Sequence, residues 1–201
     1  MNDANSEESR VIDIGDIRLA YIEAGSGAPV VVIADGSGPH LCKSDMILAE
    51  EQRVISFGSC RPGSDHEMAA SHTIDALEKL GLDRFDLIGH GAGAMVALHM
   101  ARTAPGVNVV VLAGPRLEPG PAFEDVKCPA LTLIGTRDEN ASLDAGRSIV
   151  LKPAHSHLMY VYDGESALGE ERPEALAFIV REFFERRNEF LVSREIGRIL
   201  P

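Results

Sequence analysis

The chain has 201 residues, 45% of them hydrophobic and 25% charged, with a formal net charge of −12. This length and balance are typical of one globular domain, and the negative charge excludes nucleic acid and anionic membranes as expected partners. Cys42, Cys60 and Cys128 are too widely spaced for a disulfide framework, which favours a reducing, cytoplasmic location, and no apolar run approaches the roughly 18 residues of a membrane span.

In chain order, two short strands around a Gly15-Asp16 turn predict an N-terminal hairpin, Arg10–Ile14 and Ile17–Glu23. From residue 30 onward, short apolar runs alternate with helical periodicity, which predicts an α/β domain with a mostly parallel sheet and helices on both faces. The later predicted strands are Val30–Ala34, Arg53–Phe57, Phe85–Ile88, Val109–Leu112, Ala130–Ile134 and His157–Tyr162. The predicted helices are residues 41–51, 66–80, 93–104, 141–149 and a last helix that begins at Pro173.

The glycine loop after the predicted strand Phe85–Ile88 fits two motifs of different chemistry. Gly89-x-Gly91-x-x-Ala94 matches the loop that holds a dinucleotide pyrophosphate, whereas GHGAG matches a nucleophile elbow, G-x-S-x-G, with glycine in place of the serine. The dinucleotide motif needs an acidic residue about 20 positions later, on the next strand. Here the strand Val109–Leu112 runs into Ala-Gly-Pro, and the next acidic residue is Glu118. The elbow therefore explains more of the chain.

Five segments, in the expected order, resemble the α/β-hydrolase superfamily over about residues 10–187. VIDIGDIRLAYIEAGSGAPVVVIADG resembles the opening strands and oxyanion segment, and RVISFGSCRPGSD resembles the next strand and loop. IDALEKLGLDRFDLIGHGAG closely resembles the helix, strand and elbow. CPALTLIGTRDEN resembles the strand with the triad acid, and YVYDGESALGEERPEALAFIVREFF resembles the last strand, histidine loop and last helix. The resemblance implies an α/β-hydrolase fold.

The resemblance also assigns the catalytic positions, and two of the three triad positions lack the usual chemistry. The nucleophile position is Gly91, which has no side chain to attack a carbonyl. The acid position is Asp138, but the base position after Gly164 is Glu165 instead of histidine. In a well-studied serine protease, loss of the nucleophile or base costs ~10⁶ in rate. Ordinary ester hydrolysis should therefore be negligible.

The oxyanion segment retains its backbone groups. The family's His-Gly is here Asp35-Gly36, and the implied donors are the backbone N–H groups of Ser37 and Ala92. Backbone donors survive changes of side chain, so a partial oxyanion hole is expected to persist.

The resemblance bears on domain organisation as well. The family usually inserts a cap domain after the strand that ends near Gly114, but here the connection 115–129 is too short for a helical lid, which predicts a capless, open cleft. We expect residues 1–9 to form a flexible tail, 10–187 the domain, and 188–201 a helical extension. The apolar stripe of that extension packs either on its own domain or on another subunit, as a homo-oligomer contact.

Other polar side chains are predicted at the carboxyl edge of the sheet, where α/β domains bind ligands. His90 either packs under the elbow or acts as a base toward water. Asp138 and Glu165 either form a carboxylate pair, which would raise one pKa and serve as an acid/base dyad or bind a cation, or they are an inherited Asp and a solvated Glu. Alternative nucleophiles, each otherwise a turn or packing residue, are Ser37, Ser59 and Cys60, and His40 either lines the cleft or lies on the surface.

Three functions remain open from the sequence. The first is a hydrolase-fold protein without serine-hydrolase activity, which binds an unidentified small molecule or a protein partner. The second is an active hydrolase of small ester, lactone or acyl substrates that uses non-standard residues. The third is nucleotide binding at the Gly89-Gly91-Gly93 loop. No cofactor is predicted, and the spacing of the histidines, cysteines and acidic residues indicates no metal-ligand cluster.

Overall fold

The computed structural model describes residues 9–59, 65–116, 125–139 and 156–190. Their strands are β1 (Arg10–Ile14), β2 (Ile17–Ala24), β3 (Ala28–Ala34), β4 (Gln52–Gly58), β5 (Phe85–His90), β6 (Val107–Ala113), β7 (Ala130–Gly135) and β8 (Ser156–Val161). Their helices are α1 (Lys43–Leu48), α2 (His66–Lys79), α3 (Gly93–Thr103), α4 (Leu168–Glu171) and α5 (Pro173–Arg186), followed by a 3-10 turn, Arg187–Glu189.

The strands form one sheet in the order β1-β2-β4-β3-β5-β6-β7-β8. β2 pairs antiparallel with β1 and β4, and the other neighbours pair parallel. The predicted mostly parallel sheet with an antiparallel hairpin is therefore confirmed. The carboxyl ends of β3, β5, β6 and β7 lie at one edge of this sheet, and the segments that follow them carry the residues discussed below.

Both faces of the sheet are covered, which explains the continuous apolar run of β3. Val31 and Ile33 belong to the core beneath α2 and α3, whereas Val30 and Val32 belong to the core beneath α1 and α5. All four side chains are fully buried. Successive residues of a strand point to opposite faces, so a strand buried on both faces has no polar alternation.

Several predicted elements differ from the observed ones. The predicted helix 41–51 is shorter, Lys43–Leu48, and the short helix α4 was not predicted. β5 extends to His90 because Gly89 and His90 continue the parallel pairing with Leu112 and Ala113 of β6. The predicted helix 141–149, Cys60, residues 1–8 of the predicted tail and residues 191–201 of the predicted extension lie outside the described residues.

The described part of the chain contains no cap domain between β6 and β7, as the length of the connection predicted. Among the described helices, none has the length and apolar character that crossing a membrane requires. Within the described start of the extension, Phe190 is buried against Phe183 of α5, with ring centroids 5.4 Å apart. The start of the extension therefore packs on its own domain.

Asp86 of β5 provides a test of how the sheet buries charge. Burial raises the pKa of Asp86, against the opposing effects of a hydrogen bond with Asn108 and the charge of Arg187. The folded chain then keeps a proton that the unfolded chain has lost, so stability falls as pH rises above the ordinary Asp pKa of about 3.9. We expect Asp86→Asn to raise the free energy of unfolding at neutral pH by up to about 1 kcal/mol. Urea unfolding across this pH range measures the effect.

The exposed neighbour Asp83 supplies the matched control, because Asp83→Asn removes the same charge from the same end of β5 without relieving burial. The gain in the free energy of unfolding from Asp86→Asn should shrink as pH falls to about 3, because the wild-type carboxyl is then protonated in both the folded and the unfolded chain. A gain of equal size in both variants would assign the effect to net charge instead of burial.

Candidate functional site

The glycine loop forms a sharp turn between β5 and α3. Gly91 has a φ of +52°, a left-handed conformation that favours glycine, and α3 begins two residues later at Gly93. A Cβ on Gly89 would lie 2.7 Å from the Cα of Ala94, and a Cβ on Gly93 would overlap the carbonyl oxygen of Ile33. The glycines on either side of Gly91 are therefore required by close strand–helix packing. This strand–turn–helix geometry is that of a nucleophile elbow.

The space next to Gly91 holds the carboxylate of Asp35. A Cβ on Gly91 would lie 2.5 Å from both Cγ and Oδ2 of Asp35. Oδ1 of Asp35 accepts a hydrogen bond from the Ala92 N–H at 3.3 Å and forms an ion pair with the guanidinium of Arg116. A carboxylate from the segment after β3 thus occupies the region that a nucleophile side chain would fill.

A small cavity of about 190 Å³ lies beside the elbow. Asp35 and Gly91 line one part of it, and the segment Ser166–Glu170 lines another. The remaining polar wall contains a thiol, a carboxylate and an imidazole, from Cys42, Asp45 and His90. The cavity therefore places the elbow next to side chains that can bind ligands.

Cys42, Asp45 and His90 contact one another directly, and we call them the thiol–carboxylate–imidazole cluster. Nε2 of His90 lies 3.0 Å from Oδ1 of Asp45 and 3.7 Å from Sγ of Cys42. The Cys42 thiol and backbone N–H each approach Oδ2 of Asp45 at 3.0 Å. Asp45 thereby caps α1 and joins this helix to the end of β5.

Electrostatics favour an ion pair within this cluster. Burial alone would lower the pKa of His90, but the Asp45 carboxylate outweighs it and holds the pKa well above the ordinary histidine value. Burial alone would raise the pKa of Asp45, but His90 and the hydrogen bonds from Cys42 hold that pKa below its ordinary value. This buried ion pair connects the end of β5, where the elbow begins, to the start of α1.

The positions that the resemblance assigns to the acid and the base line a separate pocket of about 290 Å³. Asp138 and Glu165 share it with Arg137 and with Ser166, which also lines the cavity at Gly91. The guanidinium of Arg137 lies 3.3 Å from Glu165 and 3.2 Å from Asp163. The two carboxylates are thus brought to one place, with a cation beside Glu165.

No protein-family model matches the chain. Curated proteins of similar sequence include a 2-hydroxy-6-oxo-2,4-heptadienoate hydrolase of Pseudomonas putida, 30% identical over 132 residues. Epoxide hydrolase A of Mycobacterium tuberculosis is 32% identical over 134 residues. These alignments cover 57% and 56% of this chain. The chain spans only 47% and 41% of the two relatives' own lengths.

Solved structures extend the likeness to nearly all of the chain. A serine hydrolase involved in carbazole degradation has a TM-score of 0.78 at 17% identity, covering 89% of this chain and 98% of its own. An α/β-hydrolase-fold protein of Chitinophaga pinensis also has a TM-score of 0.78, at 14% identity, covering 92% of this chain and 99% of its own. This chain has the α/β-hydrolase fold.

Within this α/β-hydrolase-fold protein, the residues of the predicted oxyanion segment line two cavities. Asp35 and the Ala92 N–H meet at the elbow, but Ser37 lines a different cavity, together with Ser59 and other residues. The Ser59 hydroxyl accepts from the Gly36 N–H at 3.2 Å and donates to the Gly36 carbonyl at 3.0 Å. Ser59 therefore fixes this segment, as its interpretation as a turn residue requires.

Three residues of the site were not identified from the sequence. Cys42 and Asp45 have the i, i+3 spacing of a helix cap, which could have placed them together. Their contact with His90, 45 residues beyond Asp45, follows only from the fold. The same holds for Arg116, 81 residues from Asp35. The expectation of no metal-ligand cluster was made from spacing along the chain, whereas the fold brings three potential ligands together.

Proposed function

We propose that this hydrolase-fold protein binds a small molecule beside its elbow and does not catalyse serine-type hydrolysis. The observation that carries the proposal is the position of the Asp35 carboxylate, which fills the space next to Gly91 and accepts the Ala92 N–H. Gly91 supplies no nucleophile. The developing oxyanion of an acyl-transfer reaction would need the Ala92 donor and would meet a carboxylate there.

The cavity limits what the ligand can be. Ligand sites for drug-sized molecules are about 300–1,000 Å³, so a cavity of about 190 Å³ suits a smaller molecule. Asp35, Asp45 and Glu170 supply carboxylates to the wall. Each of these carboxylates has a cationic partner, Arg116, His90 and Lys43 respectively, so a neutral organic molecule with hydrogen-bond donors fits best. This chemistry disfavours a nucleotide at the glycine loop, because its phosphate would compete with Asp35 for the Ala92 N–H.

A second candidate function is hydrolysis of small esters, lactones or acyl compounds with non-standard residues. The cavity holds a thiol and an imidazole, Cys42 and His90, beside the elbow. Similar proteins carry hydrolytic names, among them an N-acyl homoserine lactone degrading enzyme with a TM-score of 0.75 at 15% identity. These two observations support hydrolysis as the second candidate function.

A substrate panel separates the two candidates. We expect the wild-type protein to show no turnover of activated acetate esters, lactones or epoxides above that of the Cys42→Ser and His90→Gln variants. We also expect small neutral alcohols and other neutral hydrogen-bond donors to raise the thermal midpoint of the wild type. Gly169→Leu should abolish that shift, because Gly169 lines the cavity and its Cβ would overlap Sγ of Cys42.

Turnover that Cys42→Ser or His90→Gln removes would overturn the binding proposal in favour of the second candidate. A positive control for substrate access is Gly91→Ser with Glu165→His and Asp35→Ala. This combination restores the nucleophile and base that the resemblance implies and removes the carboxylate that a Cβ on residue 91 would meet.

A further inference from the structure

We propose that Cys42, Asp45 and His90 bind one divalent transition-metal ion of the zinc class, with an open coordination position facing the cavity. The three residues come from two elements that meet at the carboxyl edge of the sheet. Cys42 and Asp45 belong to the start of α1, and His90 ends β5. The site lies in the wall of the cavity proposed to bind a small molecule, but the inference does not rest on that function, because small-molecule binding beside the elbow requires no metal.

The spacing of the donor atoms suits a tetrahedral ion. Metal–sulfur, metal–nitrogen and metal–oxygen bonds of about 2.3, 2.0 and 2.1 Å place the ligand atoms of a tetrahedral zinc site about 3.4–3.6 Å apart. Here Sγ of Cys42 lies 3.7 Å from Nε2 of His90 and 3.0 Å from Oδ2 of Asp45, and Nε2 lies 3.0 Å from Oδ1. The two Asp45 contacts use different carboxylate oxygens, and one ligand atom from each of the three residues lies within 4.8 Å of the others, so side-chain adjustment is needed to bring them to tetrahedral spacing around one ion.

The donor set selects the class of metal. Thiolate and imidazole are soft and borderline ligands that favour zinc, cobalt and their neighbours over magnesium or calcium. A thiolate and a carboxylate together carry two negative charges, which match a divalent cation. Cys42 and Asp45 are buried, so a bound ion would be held away from bulk water. Burying a charge is costly unless it is paired or binds a metal.

The surroundings preorganise these ligands and leave room for a fourth. The Cys42 N–H holds the Asp45 carboxylate at 3.0 Å, and the Ser44 hydroxyl lies 3.2 Å from Sγ of Cys42. Gly169 packs against the thiol where any side chain would displace it. The three ligands line the cavity of about 190 Å³, so a water molecule or small ligand can reach the fourth position. Three protein ligands with one open position are typical of catalytic zinc sites.

The 201-residue chain, stripped with a chelator and titrated with Co²⁺, tests the site directly. We expect one Co²⁺ per chain and a thiolate-to-cobalt charge-transfer band in the near ultraviolet, which one equivalent of Zn²⁺ abolishes. Cys42→Ser should remove the band. Calorimetric titration should show Zn²⁺ affinity at least tenfold weaker in Asp45→Asn and His90→Gln.

Matched controls are Cys60→Ser, Cys128→Ser and His40→Gln, which should bind both metals as the wild type does. His40 lines the same cavity but lies outside the cluster. Circular dichroism reports whether each variant is folded. If a variant does not fold, the charge-transfer band of the cobalt-loaded wild type still shows whether the site binds metal. Absence of a charge-transfer band in the wild type, or its persistence in Cys42→Ser, would overturn the proposal.

Discussion

Asp45→Ala should lower the free energy of unfolding by about 3–5 kcal/mol in chelator-treated protein at neutral pH. Asp45 is 1% exposed. Its carboxylate accepts hydrogen bonds from the thiol and the backbone N–H of Cys42 and forms an ion pair with the imidazole of His90. Removing it leaves a buried imidazole without its counter-charge and a helix without its cap. Urea unfolding followed by circular dichroism measures the loss.

The exposed ion pair of Asp13 with Arg18, at 3.4 Å on β1 and β2, offers a matched control. Asp13→Ala removes a paired carboxylate that water already solvates, so its effect should stay within about 0.5 kcal/mol. If Asp45→Ala costs no more than Asp13→Ala, the buried ion pair does not hold α1 to the elbow.

Phe183→Ala should destabilise the protein to a similar extent, by about 3–5 kcal/mol. Phe183 is fully buried on the sheet-facing side of α5, and its ring packs edge-on against His157 at 6.1 Å and Phe190 at 5.4 Å. Truncation to alanine leaves a cavity that this close-packed cluster cannot fill. The same urea unfolding experiment measures the loss.

Phe178, on the same helix, is 67% exposed and provides the control. Phe178→Ala changes helix propensity as Phe183→Ala does but removes little burial, so we expect an effect within about 0.5 kcal/mol. Equal losses in the two variants would mean that α5 does not present Phe183 to the sheet.

Much of the fold was predictable because its signals are local. The continuous apolar run Val30–Ala34 predicted a strand buried on both faces, and Gly15-Asp16 predicted the hairpin. The helix from Pro173 followed from a proline at its first turn and an apolar stripe. α4 was missed because four residues, Leu168–Glu171, are too few to show helical periodicity.

The site was less predictable because its contacts are not local. The resemblance located the elbow at Gly91 and the positions of Asp138 and Glu165, which the fold brings to one pocket. It did not indicate where the Asp35 carboxylate points, since that depends on Ala92 and Arg116, 57 and 81 residues away. Nor did it indicate that His90 would meet a thiol and a carboxylate from α1.

The left-handed φ of Gly91 also bears on how stability and activity are balanced in this fold. A serine or any other side chain at a φ of +52° costs roughly 1–2 kcal/mol, a strain that an active elbow carries to expose its nucleophile. Glycine adopts the same turn without that cost. At this turn the protein is therefore free of the usual trade-off, in which stability is given up for a strained catalytic group.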